Sequence, residues 1–397
     1  MAAGIITGPH TPGLVLVENP ADLEVFAAVG LIMLLFHLGI EFSLDDLING
    51  GPRLLATGGL YILLNVGGGL TLGFTLGWGT PEAFVIAGAV GISSTAIVTK
   101  LLVELRRLAN RETPMILGVI VVEDVFLALY LALLQPILGQ AGGPAEALLL
   151  FGRAFAFLTA LFLLARFGAH WVGRLVGSED DELLTVLFVG IAVLVAGMAE
   201  EIGVSVAIGA FMVGLILAET KAAPRIEHLV LPLRDAFAAV FFFAFGLTID
   251  PGDVARVVSP VAAAAVLSIV LNVAAGIFAA RMHRFGQREA ANAGLTLLGR
   301  GEFSLILATF AAAAGLDPRI GPFVALYVFV LAVMSPLLAS SSDRLARWLP
   351  NGLFPDAAGQ TAAPPRAVPE APPSALGQRG GQGDSVGEGR KRRADGS

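Results

Sequence analysis

Apolar residues run through this chain in blocks far longer than the alternation of a soluble helix or strand. Residues 54–80 and 257–280 contain no charged residue, and each stretch exceeds the roughly 20 residues that cross a bilayer as a helix. Further apolar blocks centre near residues 32, 92, 125, 160, 191, 210, 241, 300 and 331, with a fragment at 1–8. The pattern predicts about twelve spans joined by short loops, which makes an all-α polytopic membrane protein. From about Asn351 it gives way to Pro, Gly, Ala, Gln and Ser, closing on RKRR at 390–393. A membrane domain over 1–349 and a disordered tail over 350–397 are therefore expected. The glycines of RGGQGDSVGEG follow no strand and open no helix, which argues against a nucleotide-binding turn there.

Composition agrees with the pattern. The chain is 56% hydrophobic and 14% charged over 397 residues, more apolar surface than a soluble domain could hide. It has no cysteine, which excludes disulfides and thiolate metal sites. No secretory signal is expected, because Met1 opens directly on AAGIITG without a basic segment. The net charge of −7 identifies no partner, and none of nucleic-acid type is expected. The placement of charge says more. One set of loops carries Arg53, Arg106, Arg107, Arg111, Arg174, Lys221, Arg225, Arg234, Arg281, Arg284, Arg288, Arg344 and Arg347, whereas the alternate loops carry only Arg256 and Arg319. This bias predicts that the first set and the C-terminus face the cytoplasm of a multi-pass cell-membrane protein.

Shifted by 207 residues, the sequence matches itself without a gap from the second span to the fourth. 36-FHLG-39 lies over 243-FAFG-246, and Asp46 over Asp253. 64-LNVGGG-69 lies over 271-LNVAAG-276, with Asn65 on Asn272, and 91-GISSTAIV-98 falls on 298-LGRGEFSL-305. The first span pairs with the eighth and the second with the ninth, so each mate crosses the membrane in the opposite direction. Secondary transporters are built this way, with the binding site near the midplane where discontinuous helices meet. Repeat one is expected over 1–134 and repeat two over 181–341. The apolar block 183–199 opens the second copy, and its mate would fall before Met1. The chain is therefore expected to lack one helix and part of the next on its N-terminal side.

Candidate chemistry sits at the interruptions. 92-ISST-95 places Ser93, Ser94 and Thr95 inside an apolar span, and 299-GRGEFS-304 places Arg300, Glu302 and Ser304 inside its mate. Glycine and small polar residues let a helix unwind, freeing carbonyls that could coordinate a cation, beside half-helix ends that carry dipole charge. Hydroxyls bonded back to carbonyls of an intact helix are the alternative for ISST. Arg300 and Glu302 are expected to neutralise each other or the nearby half-helix ends.

The adjacent Glu123 and Asp124 lie inside 118-GVIVVEDVFLALYLALL-134. On a helix they point about 100° apart, so only one can aim at a given point. Burial favours the neutral acid, and the ionised form is a hard oxygen ligand for an alkali cation. One group that holds either a proton or a cation is the minimum machinery for exchange. The structural alternative for either carboxylate is pinning by a neighbouring Arg or Asn. Glu41 is a candidate entrance residue at a helix end beside Asp45 and Asp46, and His37 reads as a packed histidine. Lys100 is expected to snorkel to the surface, and Asn65 and Asn272 to hydrogen-bond between helices.

LLFHLGIEFS, GISSTAIVTKLL, the carboxylate pair, FFFAFGLTID and GRGEFSLILA together resemble the monovalent cation:proton antiporter-2 family, which includes the Kef-type potassium/proton exchangers. The similarity runs in order from about Ala2 to Pro336. It implies a sodium/proton-antiporter-like fold in which two crossed discontinuous helices meet beside an essential aspartate. It further implies a homodimer of thirteen-helix protomers, each with a scaffold and a core that moves as an elevator. Carried over by position, Asp124 is the ion- and proton-binding aspartate and would hold the alkali cation. Thr95 lies at the first crossing, and Arg300 and Glu302 at the second. Kef-type members commonly have Gln before the Asp, and electrogenic sodium exchangers have Asp. Glu123 here leaves ion choice and stoichiometry open. Many Kef proteins also carry a C-terminal nucleotide-binding domain, so regulation by a separate cytoplasmic subunit is an expectation.

The leading reading is a secondary transporter, not an enzyme, that exchanges K+, favoured over Na+, for protons and needs no cofactor. The second is an organic-anion symporter on a similar fold, with Arg300 holding the carboxylate. An intramembrane protease would need GxGD with a second aspartate, HExxH or a deep Ser/His pair, and none is present. A gated channel is less favoured, since a carboxylate at the centre of broken repeats suits alternating access.

Overall fold

The computed structural model describes residues 1–11, 15–17, 19–41, 51–138, 180–201, 206–350 and 354, and positions 152, 156, 159 and 163. Most of the block expected as a span near 160, Asp45 and Asp46, and the tail beyond 350 except 354 lie outside the described residues. The described secondary structure is helical. It comprises α1 (Ala2–Thr7), a 3-10 turn (Pro20–Leu23) leading into α2 (Glu24–Glu41), α3 (Gly51–Leu76), α4 (Thr80–Gly91), α5 (Thr95–Glu104) and α6 (Thr113–Leu138). It continues with α7 (Asp181–Glu201), α8 (Val206–Ala218), α9 (Ala223–Leu247), α10 (Pro251–His283), α11 (Gln287–Thr296), α12 (Glu302–Ala313), α13 (Ile320–Ser340) and α14 (Ser342–Ala346).

Eight helices among the described residues are long and apolar enough to cross a membrane, fewer than the sequence pattern predicts. One of the missing spans, near 160, lies mostly outside the described residues. α8 and α12 are apolar but short. α1 has only six residues.

Helices recur at the offset seen in the sequence. α4 and α11 start at Thr80 and Gln287, α5 and α12 at Thr95 and Glu302, and α6 and α13 at Thr113 and Ile320, each pair 207 residues apart. The Asn272 side-chain amide donates to Asn65 Oδ1 at 2.9 Å, so two mates of the repeat touch each other. Glycine sets the closest helix approach. A methyl group at Gly39 would overlap the carbonyl of Phe211, and one at Gly214 the carbonyl of Phe36, so α2 and α8 cross backbone to backbone. Gly4 and Gly246 bring α1 onto α9 in the same way.

Two clasps tie the loops around the broken helices. Arg319 lies 4.7 Å from the Trp78 ring centroid and binds Asp317 with its Nε at 2.9 Å. The Asp317 amide donates to Glu82 Oε1 at 3.3 Å. The Arg319 guanidinium holds the Asp317 carboxyl below the usual carboxylate range. In the other clasp Arg111 lies 6.0 Å from the Phe285 centroid. There the buried Glu112 accepts from the side-chain amides of Asn110 and Asn292, both at 2.9 Å. Trp78 and Phe285, Asn110 and Asp317, and Glu112 and Arg319 are all repeat mates. The second clasp extends to α14, where Ser342 donates to Asn292 and accepts from Arg107.

Candidate functional site

Ile92, Ser93 and Ser94 break the first discontinuous helix between α4 and α5, and residues 297–301 break the second between α11 and α12. The breaks cross. The Ser94 amide donates to Gly299 O at 2.9 Å, Ser93 Oγ to Leu297 O at 2.8 Å and Ser304 Oγ to Ala89 O at 2.8 Å. Unwinding leaves carbonyls without intrahelical partners, and Arg300 takes them. Its Nε donates to Val90 O at 2.8 Å, and NH1 to Leu297 O at 2.9 Å and Leu298 O at 3.2 Å. NH2 donates to Asn65 Oδ1 at 3.3 Å. The guanidinium is fully buried against the negative C-terminal ends of α4 and α11.

This narrows two sequence expectations. The carbonyls of Val90, Leu297 and Leu298 accept from the Arg300 guanidinium, which lies at the half-helix ends, one of the two places expected for it. Arg300 and Glu302 form no ion pair among the described residues. Arg300 belongs to the break, whereas Glu302 opens α12 and turns toward a cavity.

The two carboxylates of α6 separate as the helical 100° requires. Glu123 is 1% exposed and accepts the Ser93 amide at 3.0 Å, on the side of the crossing. Asp124 accepts from Thr95 Oγ1 at 3.4 Å. Glu123 Oε1 and Asp124 Oδ1 have no hydrogen-bond partner among the described residues. Thr95 also borders a cavity of about 330 Å3, walled by α2, α5, α9 and α12. Glu41, His37, Arg234 and Glu302 supply its charged and titratable groups. Thr95 and Glu302, the mates that open α5 and α12, therefore face one space.

The remaining candidates sort by distance from that space. Ser93 and Ser94 are buried in the crossing and do not line the cavity, and Ser304 fastens α12 to α4. Asn65 and Asn272 sit behind Arg300, joined to α3 and α10 through Tyr61 O at 3.0 Å and Ser268 O at 2.9 Å. Glu41 stands at the cavity wall, with its Oε2 3.3 Å from His37 Nδ1. Among the described residues, no group of three or more His, Cys, Asp or Glu converges as a metal centre.

Sequence reasoning missed Arg234. It reads as a loop charge, but it lies inside α9 and its NH1 is 3.1 Å from the buried His37 Nδ1. The signal was the position of His37 one helical turn before Glu41. A polar pair facing inward on an apolar helix calls for a partner from a neighbouring helix. Tyr327 was also missed, and its hydroxyl pairs with Ser268 Oγ at 2.7 Å. A second cavity, of about 780 Å3, lies toward the opposite end of α2, bordered by Glu24, Leu31, Phe241, Thr248, Thr309 and Phe310. Residues of the breaks do not line it.

Residues 1–340 match the family of the transmembrane sodium/hydrogen exchangers. The chain is 41% identical over 357 residues to the K+/H+ antiporter subunit KhtU of Bacillus subtilis, covering 88% of each chain. It is 28% identical over 345 residues to the ammonium/H+ antiporter subunit AmhT of Alkalihalophilus pseudofirmus, covering 86% of this chain and 84% of that protein. Its fold is similar to that of the sodium proton antiporter MjNhaP1 of Methanocaldococcus jannaschii, with a TM-score of 0.64 at 15% identity. That likeness covers 87% of this chain and 90% of the other, and it identifies an all-α polytopic antiporter fold. The chain belongs to the transmembrane sodium/hydrogen exchanger family, within its Kef-type cation:proton antiporter-2 branch.

Proposed function

We propose that the chain exchanges a monovalent cation, K+ favoured over Na+, for protons across the cell membrane by alternating access, with Asp124 as the exchange site. One observation carries the assignment of the site. Of the two α6 carboxylates, Asp124 is the one that bonds to a cavity-lining residue, Thr95; like Glu123, it keeps an oxygen without a partner among the described residues. A proton and an alkali cation would compete for those oxygens, with the Thr95 hydroxyl as a neutral neighbour. Glu123, bound to the crossing through Ser93, modulates the site and does not itself carry the exchange.

Several features support the wider reading. Cavities lie toward the two ends of α2, and Leu31 and Leu34 border one each, so a short segment of one helix separates them. Counting each broken helix once gives ten crossings among the described residues; in this reading the block near 160 and a span begun by α1 would complete twelve, with repeats over 1–134 and 181–341 in opposite directions. The charge bias of the loops puts the C-terminus and the Glu41 cavity on the cytoplasmic side. The preference for K+ rests on the name of the KhtU relative, and the ammonium relative adds NH4+, a cation of similar size, to the ions worth assaying. Both relatives are named as subunits, which supports a further subunit; its regulatory role and the homodimer rest on the family resemblance alone. Arg300 does not favour organic-anion symport, because its donors are spent on carbonyls and Asn65 in a fully buried setting.

The test is a pH-gradient dequenching assay on purified protein in liposomes with K+, Na+ and NH4+. Asp124→Asn removes both the charge and the titrating proton, so cation-driven exchange should vanish while the protein remains folded. Glu123→Gln should keep exchange with altered pH dependence or ion preference. Robust exchange by Asp124→Asn would defeat the assignment, and loss confined to Glu123→Gln would reverse it.

A further inference from the structure

The cavity beside Thr95 contains more charge than an exchange site at Asp124 requires. Glu302 opens α12, where the helix dipole favours a carboxylate, and it is partly exposed to the cavity. It forms no ion pair among the described residues. Glu41 is 45% exposed, with its Oε2 3.3 Å from His37 Nδ1. Among the described residues the guanidinium lining the cavity is that of Arg234, with a side chain 26% exposed. It is held by Asp235 Oδ1 at 2.7 Å and by His37 Nδ1 at 3.1 Å, and it lines the same cavity as Glu302. Asp124 is 9% exposed and is joined to the cavity-lining Thr95 through Oδ2, while its buried Oδ1 has no partner among the described residues.

From this arrangement we infer that Glu302 is an entry subsite for the transported monovalent cation, and that Arg234 is its tethered competitor. The inference rests on the exchange reading of Asp124. A cation that loses water on its way to Asp124 needs anionic oxygen along the path, and Glu302 supplies it at the repeat mate of Thr95. When no cation is present, the positive charge of Arg234 balances Glu302. An arriving cation replaces that balance. The side chain is anchored on its own helix by Asp235 and to α2 by His37, so it stays near the subsite without filling it. Glu302 is a binding residue in this account, and Arg234 sets the affinity by competition.

The experiment measures the apparent KM for K+ in liposome exchange, at fixed pH, for the full chain and four variants. Glu302→Gln should raise the apparent KM about tenfold while maximal exchange changes less than about threefold, the split expected when uniform binding is lost. Glu302→Asp should recover most of the affinity. Arg234→Gln should lower the KM about threefold in the wild-type background and have no effect in the Glu302→Gln background, since coupled residues are not additive. A wild-type KM in Glu302→Gln, or an equal Arg234→Gln effect in both backgrounds, would overturn the inference and leave the Asp124 assignment standing. Wild-type liposomes that respond to no monovalent cation would remove the exchange reading and this inference together.

Discussion

Arg300 resolves a cost that unwound helices create. Breaking two helices inside a membrane orphans carbonyl groups that no water can satisfy, each a penalty of several kcal/mol. A guanidinium offers five donors in a fixed fork, and here three of its nitrogens reach Val90, Leu297, Leu298 and Asn65. Its charge also opposes the two helix ends that point at it. Arg300→Ala should therefore lower stability by about 3–5 kcal/mol, the range for removing one side of a buried charged network. Arg300→Lys should recover little of that loss, because an ammonium cannot span the same acceptors. Thermal melting of the purified variants in detergent checks both, and a wild-type melting temperature for Arg300→Lys would show that the fork geometry is dispensable.

At the scale of helices, sequence and structure agree where self-similarity sets the register. Asn65 over Asn272 and GISST over LGRGE already fix where the helices restart, and the paired starts follow with one offset. The span near 92 and its mate near 300 are also recognisable as interrupted, because hydroxyls, glycine and charge stand inside apolar runs. Partnerships are less legible. Arg300 and Glu302 are two residues apart, which suggests a pair, yet the change from break to helix between them sends one into the crossing and the other into the cavity. Arg234 reads as a loop charge because Pro232 and Asp235 stand beside it, and nothing local reveals the histidine on α2 that it meets. Hydropathy likewise counts apolar blocks, not helix lengths, so it cannot tell a short helix or a half-helix from a full span.

The clasps belong to the same scale, and one of them titrates. Asp317 has a folded-state carboxyl held below its unfolded value by Arg319. Its contribution to stability is therefore present above about pH 4 and lost as pH falls through the lower folded value. Both side chains are partly exposed, so the effect should stay within about 1 kcal/mol. Asp317→Asn should flatten part of the drop in melting temperature between about pH 5 and pH 2. An identical pH profile for the variant would show that the pair adds nothing to the fold.

Across the whole molecule, these parts set the Asp124 carboxylate one hydrogen bond behind a cavity-lining residue, Thr95. The crossing is fastened by Arg300, and the clasps fasten the loops on either side of the broken helices. The repeat mate of Asp124 is Leu331, buried on α13, so the duplication does not repeat this carboxylate. With Asp124 as the proposed exchange site, coupling would follow because a proton and a cation cannot occupy the same oxygens together.

Competition is the central claim, and the pH at which wild-type exchange is half-maximal tests it most directly, measured in liposomes over a range of K+ concentrations. If both ions share Asp124, that pH should fall as K+ rises, approaching about one unit per tenfold increase once the cation saturates the site, by linkage. A half-maximal pH that stays fixed across the whole K+ range would contradict a shared site and require separate places for the proton and the cation.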